Sequence, residues 1–240
     1  MFDIPEKYKV DFEIAMKDFI PKDVKPNDKK RIQSAVKSAV LSYQIQGEEI
    51  PSMVNEDYNC SVIQFYDIQL TSIKEAVFIA NVYQQMIKNL CVLRLYDSAK
   101  EQFSFGLKRL SKTANNEVVL EDSFYTSLFP TMLPDKKKRM FMKYASYNKI
   151  LNKSSKVDYY TELYTKGYVV ENINIAPNLN MFLENHIWYD KNKVNQIRKV
   201  MLHLIKLQND ISKELVSKKR VEINDLIRYD LDEIKRLETE

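Results

Sequence analysis

One stripe near the carboxyl end constrains this fold more than any other feature. Val194, Ile197, Met201, Leu204, Gln208, Ile211 and Leu215 follow one another at alternating spacings of three and four. On an α-helix that spacing puts all seven on one side, the geometry of a coiled-coil seam. No Gly or Pro occurs after Pro177, so the backbone beyond it carries no breaker. The pattern predicts a long helix starting near Asp190, a break at 217–220, and a second helix with a stripe of Ile223, Ile227, Leu231, Ile234 and Leu237. A hairpin and a bent rod both satisfy it. Gln208 is polar at a seam position, where such a residue fixes register at some cost in stability. Packing within the chain and assembly with a second copy compete for this surface. Ile197, Met201, Leu204, Gln208, Ile211 and Leu215 are the candidate interface residues.

With 240 residues the chain can bury one good core and a small second module. Gly47, Gly106 and Gly167 are its only glycines and stand apart. Phosphate-cradling loops need clustered glycines, because only Gly lets the backbone approach the anion closely. P-loop and dinucleotide chemistry is therefore not expected, and no other cofactor is implied. A formal charge of +4 permits contact with DNA without arguing for it. Two cysteines, Cys60 and Cys91, and two histidines fall short of a zinc site, so both thiols read as reduced. Met1 precedes a charged segment rather than an apolar run, and no apolar stretch is long enough for a bilayer. The expectation is a cytoplasmic protein with no membrane partner.

The first half alternates between helix and strand periods. Asn27 or Asp28 can cap a helix whose buried face is Ile32, Ala35, Val36, Ala39 and Val40. Strands are predicted over 41–46, 62–70, 90–96, 102–110 and 117–125, with a helix after Thr71 or Ser72 and turns at 97–100 and 113–116. Beyond Pro130 and Pro134 the character changes. Asp135 caps a helix extending to about 152, and 156–168 reads as a Tyr-rich helix. The resulting class is α+β: a mixed α/β domain with a largely antiparallel sheet over 1–130, then an all-helical module over 131–240.

Two runs carry a resemblance. QFSFGLKRLSK (102–112) followed by NEVVLE (116–121), with IPK (20–22) and IQFYDIQL (63–70), resembles bacterial proteins grouped as domain of unknown function 4391. The likeness covers most of the chain and is clearest over 20–125. That family brings no assigned activity. Its members tend to be encoded beside helicases and DNA methyltransferases, which implies such a partner and a role in DNA processing or phage defence. Relatives often carry an acidic residue and a Lys, evoking a restriction-nuclease fold, where this chain has Gln69 and Thr71.

A nuclease of that kind needs strand-borne carboxylates for Mg²⁺ and a nearby Lys. Asp28-x-Lys30 and Asp135-x-Lys137 sit at predicted helix starts, and Glu233-x-Lys235 lies inside a helix. Asp67, Asp97 and Glu121 are the weak catalytic candidates, able to converge only through the fold; Asp57 is a fourth carboxylate of this kind. Lys136, Lys137, Lys138, Arg139 and Lys143, interleaved with Tyr144, are the candidate nucleic-acid contacts. The competing reading makes these lysines the solvated side of a helix whose core face is Met140, Phe141, Tyr144 and Leu151. His203 reads as a seam flank, and His186 joins Trp188 and Tyr189 in an aromatic cluster.

Overall fold

The computed structural model describes residues 1–113 and 117–239. Their contacts divide the chain into two compact units, Met1–Tyr168 and Val169–Glu240. The strands are β1 (Lys9–Glu13), β2 (Val36–Ile45), β3 (Met53–Val54), β4 (Asn59–Cys60), β5 (Ile63–Leu70), β6 (Leu90–Tyr96), β7 (Lys100–Leu110), β8 (Val118–Tyr125) and β9 (Phe129–Pro130). The helices are α1 (Met16–Phe19), α2 (Pro26–Ala35), α3 (Ala76–Met86), α4 (Lys136–Tyr144), α5 (Lys156–Glu171), α6 (Leu179–Glu184), α7 (Lys191–Lys213) and α8 (Ser217–Thr239). The chain is thus α+β, a sheet with helices followed by helices alone. The domain expectation grouped everything after 130 with the tail, whereas the contacts group α4 and most of α5 with the sheet.

The main sheet runs β1-β2-β5-β6-β7-β8, with β9 also on β7. β5 and β6 are parallel, joined through α3 as a parallel pair requires; the neighbouring pairs around them are antiparallel. Alternate side chains serve opposite faces. On one face Ile68, Leu70, Leu93 and Leu95 pack with Ile32 and Ala35 of α2 and with Ile79, Ala80 and Tyr83 of α3. The other face is aromatic. Phe103 meets Phe2 and Phe141 of α4 at ring-centroid distances of 5.2 and 5.1 Å. Phe105 stacks on Phe124 at 4.9 Å, and Tyr164 of α5 meets Phe124 edge-on. α5 is enclosed on nearly every side, which explains why no amphipathic stripe marks it. Its Tyr160 hydroxyl donates to the Cys91 carbonyl at 2.5 Å and accepts from the Gly106 amide at 3.1 Å. Gly106 itself sits under α3: a Cβ there would lie 2.5 Å from Gln84 Oε1.

Strand β6 spans the residues the sequence predicts, and β5, β7 and β8 differ from prediction by one or two at their ends. Three elements differ more. Val36 and Ala39, expected on the helix, begin β2 instead. There the segment pairs with both β1 and β5, and two ladders outweigh a short helical period that β-branched residues also tolerate. α4 ends at Tyr144 rather than near 152, because a separate 3₁₀ turn, Tyr147–Lys149, follows it. The loop after Gly47 contains the small hairpin β3–β4. The turn expected over 113–116 lies, after Thr113, outside the described residues.

Candidate functional site

Charged side chains gather on the aromatic face of the sheet. Parallel pairing sets Asp67 of β5 directly beside Arg94 of β6. Arg94 donates from Nη1 to Asp67 Oδ1 at 3.0 Å and from Nε to Glu101 Oε2 at 2.6 Å. Lys138 Nζ lies 2.6 Å from Glu101 Oε1 and donates to the carbonyls of Pro130 and Thr131 at 2.7 and 3.2 Å. Ser42 of β2 donates to Asp67 Oδ2. The local sequence explains how Lys138 arrives: Asp135 caps α4 by accepting from the Lys138 amide at 2.7 Å, which turns that side chain inward. Burial works against the charge on Arg94, but Glu101 and Asp67 outweigh it and raise its pKa. Two carboxylates and two cations form one network joining β2, β5, β6, β7 and α4.

The other carboxylate candidates stand elsewhere. Asp97 closes the β6–β7 turn: Oδ1 accepts from the amides of Ala99 and Lys100, both at 2.8 Å, and Oδ2 accepts from the Ile73 amide at 2.9 Å. Burial raises its pKa, and these amides lower it by more. Because the folded pKa is the lower one, the stabilisation is full above the ordinary value of 3.8 and is lost as pH falls through the folded value. Asp97→Ala should therefore cost about 1–3 kcal/mol at neutral pH. That difference from wild type should shrink toward nothing in acid, read from urea unfolding at several pH values. Glu121 is exposed on β8, at the register shift opposite Leu107 and Lys108. Asp57 is exposed and serves through its carbonyl, which accepts from the Leu110 amide. Gln69 accepts from Ser38, and the Thr71 hydroxyl donates to carbonyls at the end of α2. Among the described residues no three His, Cys, Asp or Glu side chains stand where they could hold a metal ion.

The basic run is divided between inside and outside. Lys138 is buried in the network, Lys137 donates to Ser127 Oγ, and Arg139 donates to the Pro134 carbonyl. Lys143 lies against Tyr144. Lys136, Arg139 and Lys143 are exposed. Burial pushes the Cys60 thiol up to about 11 and raises that of Cys91, which keeps both protonated and unreactive.

In the second unit α7 and α8 form an antiparallel hairpin: His203 pairs with Asp230, and Gln196 donates to Glu233. Val194, Ile197, Met201, Leu204 and Leu207 are buried. Past Leu204 the next buried residue is Leu207, one position before the expected Gln208. Gln208 is exposed, donating to the Ile175 carbonyl at 3.1 Å. Ile211 is half-buried, and Leu215 lies in the link between the helices, 93% exposed. The polar group inside the hairpin is Asp230, 4% exposed and 2.7 Å from His203 Nδ1. Its signal was in the sequence: Ile223, Ile227, Asp230, Ile234 and Leu237 keep the four-three spacing that Leu231 breaks. Trp188 is buried and Tyr189 is exposed.

Among the described residues no helix is long and apolar enough to cross a membrane. No curated protein and no solved structure matches the chain. One family model does, over residues 2–234, and that span covers both the sheet with its charge network and nearly all of the hairpin. The chain belongs to that family, described as Domain of unknown function (DUF4391).

Proposed function

We propose that this protein is a non-catalytic assembly subunit of a bacterial DNA-processing or phage-defence system, docking on a helicase or methyltransferase through its helical hairpin. One observation carries the reading. The seam residues Ile197, Met201 and Leu204 are consumed inside the chain, while Leu215, Val216, Val221, Leu226 and Tyr229 are left exposed on the link and on α8. Large apolar side chains exposed within one short stretch of chain mark an interaction surface. The family's association with helicases and methyltransferases supplies the context. In its native cell the tagged chain should recover a stoichiometric partner. The double variant Leu215→Ser/Tyr229→Ser should recover at least about tenfold less, since a central aromatic anchor is worth about 2 kcal/mol. A wild-type chain that is monomeric and partnerless would refute the proposal.

A second reading, a divergent Mg²⁺-dependent nuclease, draws on the meeting of Asp67 and Glu101 beside Lys138. A cation there would have to displace Arg94 from between the two carboxylates. This reading requires Mg²⁺-dependent cleavage of DNA that both Asp67→Ala and Glu101→Ala abolish.

A further inference from the structure

The outward face of α7 carries a row of three lysines among neutral residues. Asn195, Lys199, Leu202, Lys206, Asn209 and Lys213 are all exposed. Their four-three spacing aligns them on the side of the helix opposite Val194, Ile197, Met201 and Leu204. Lys199, Lys206 and Lys213 follow one another at seven-residue intervals, about 10.5 Å along the axis at 1.5 Å per residue. Beyond the link come Lys218, Lys219 and Arg220, in a first turn that holds no acidic residue. Positive charge at a helix N-terminus opposes the macrodipole, so the fold gains nothing locally from that trio. Among the described residues none of these six cations takes part in an ion pair. Over its whole length α7 sets Lys191, Lys193, Arg198, Lys199, Lys206 and Lys213 against Asp210 alone.

We propose that this face of the hairpin grips the phosphate backbone of duplex nucleic acid without reading its sequence. Three alternatives fit the chemistry less well. Protein interfaces are depleted in Lys and built around apolar or aromatic anchors, and Leu202 is the row's one apolar residue. A membrane surface needs an apolar helix face; that of α7 is buried in the hairpin, and the exposed Leu215, Val216 and Val221 lie off the lysine row. Unpaired strands are held by aromatic stacking, and the row contains no aromatic residue. What remains is a straight line of ammonium groups that can replace counterions on phosphates, with two amides to hydrogen-bond phosphate oxygens. This inference does not depend on the assembly reading, since a chain without a protein partner can still bind a duplex.

Fluorescence anisotropy of the full chain with a labelled DNA duplex tests it. Affinity should fall steeply with salt. In Lys199→Ala/Lys206→Ala/Lys213→Ala the slope of log K against log salt should be shallower by about 2.7, at about 0.9 per lost phosphate contact. Binding at low salt should be at least about tenfold weaker. Alanine is the best helix former, so unchanged far-UV circular dichroism will show that α7 persists, and Lys29→Ala/Lys30→Ala on α2 should bind as wild type. Four results would overturn the proposal: no duplex binding at low salt, a triple variant equal to wild type, tighter binding of single strands, or displacement by polyglutamate as effective as by duplex. The last would assign the row to an acidic protein.

Discussion

Glu162→Ala should lower the stability of the sheet unit by about 3–5 kcal/mol, the range found when one partner of a buried ion pair is removed. Glu162 and Lys166 lie one turn apart on α5, each with a side chain 1% exposed and their charges 2.6 Å apart. The carboxylate also accepts from the amides of Leu151 and Asn152 at 2.7–3.0 Å, while Lys166 donates to the Lys149 carbonyl at 2.5 Å. One side chain thus anchors the segment after α4 to the enclosed helix. Its loss removes the carboxylate 2.6 Å from the buried ammonium and takes an acceptor from two amides. Glu162→Gln keeps a carbonyl for those amides and should cost less. Glu162→Leu/Lys166→Met removes both charges and should recover a large part of the loss. Urea unfolding followed by Tyr fluorescence reads all three. Equal midpoints for wild type and Glu162→Ala would show that the pair contributes nothing.

The second large effect is expected at Glu101. Its carboxylate is 2% exposed and binds both Arg94 and Lys138. Glu101→Ala should cost about 3 kcal/mol, at the low end of the range because Arg94 keeps Asp67 and Lys138 keeps two carbonyls. Asp67→Ala should cost about 1 kcal/mol, since that pair is partly exposed and water replaces the lost contact. If the network is a structural clamp, the two variants rank in this order in unfolding experiments. The same variants bear on the nuclease reading, which requires that each abolish cleavage under conditions where it remains folded.

The network and the hairpin were legible in the sequence to different degrees. Leu90–Tyr96 was readable as a strand because five of its seven residues are apolar, the mark of a strand buried on both faces. The cap Asp135 was readable because an N-cap depends on amides two or three residues away; near Asp190 only the helix start was read, and the structure makes that residue its cap. Asp67 could be singled out as a strand carboxylate, but nothing local tied it to Arg94, 27 positions on. That contact needs β5 and β6 to be parallel neighbours in one register. Lys138 read as one of four consecutive basic residues, and only the docking of α4 on the sheet decided that it alone turns inward.

What depends on neighbours a few residues apart was legible in the residues: strands β5 to β8, the Asp135 helix start, and the two amphipathic helices of the tail; Asn27 and Asp28, expected as caps, lie inside α2, which starts at Pro26. Only the assembled fold settled that the strand expected from residue 41 begins at Val36, that α7 and α8 fold back as a hairpin, and which charges are buried in pairs. Periodicity and capping act within a turn or two of backbone, whereas a ladder partner or a buried counter-charge is supplied by residues tens of positions away. The alternating period of Val194 to Leu204 survives in the seam, but packing against α8 set where the stripe ends.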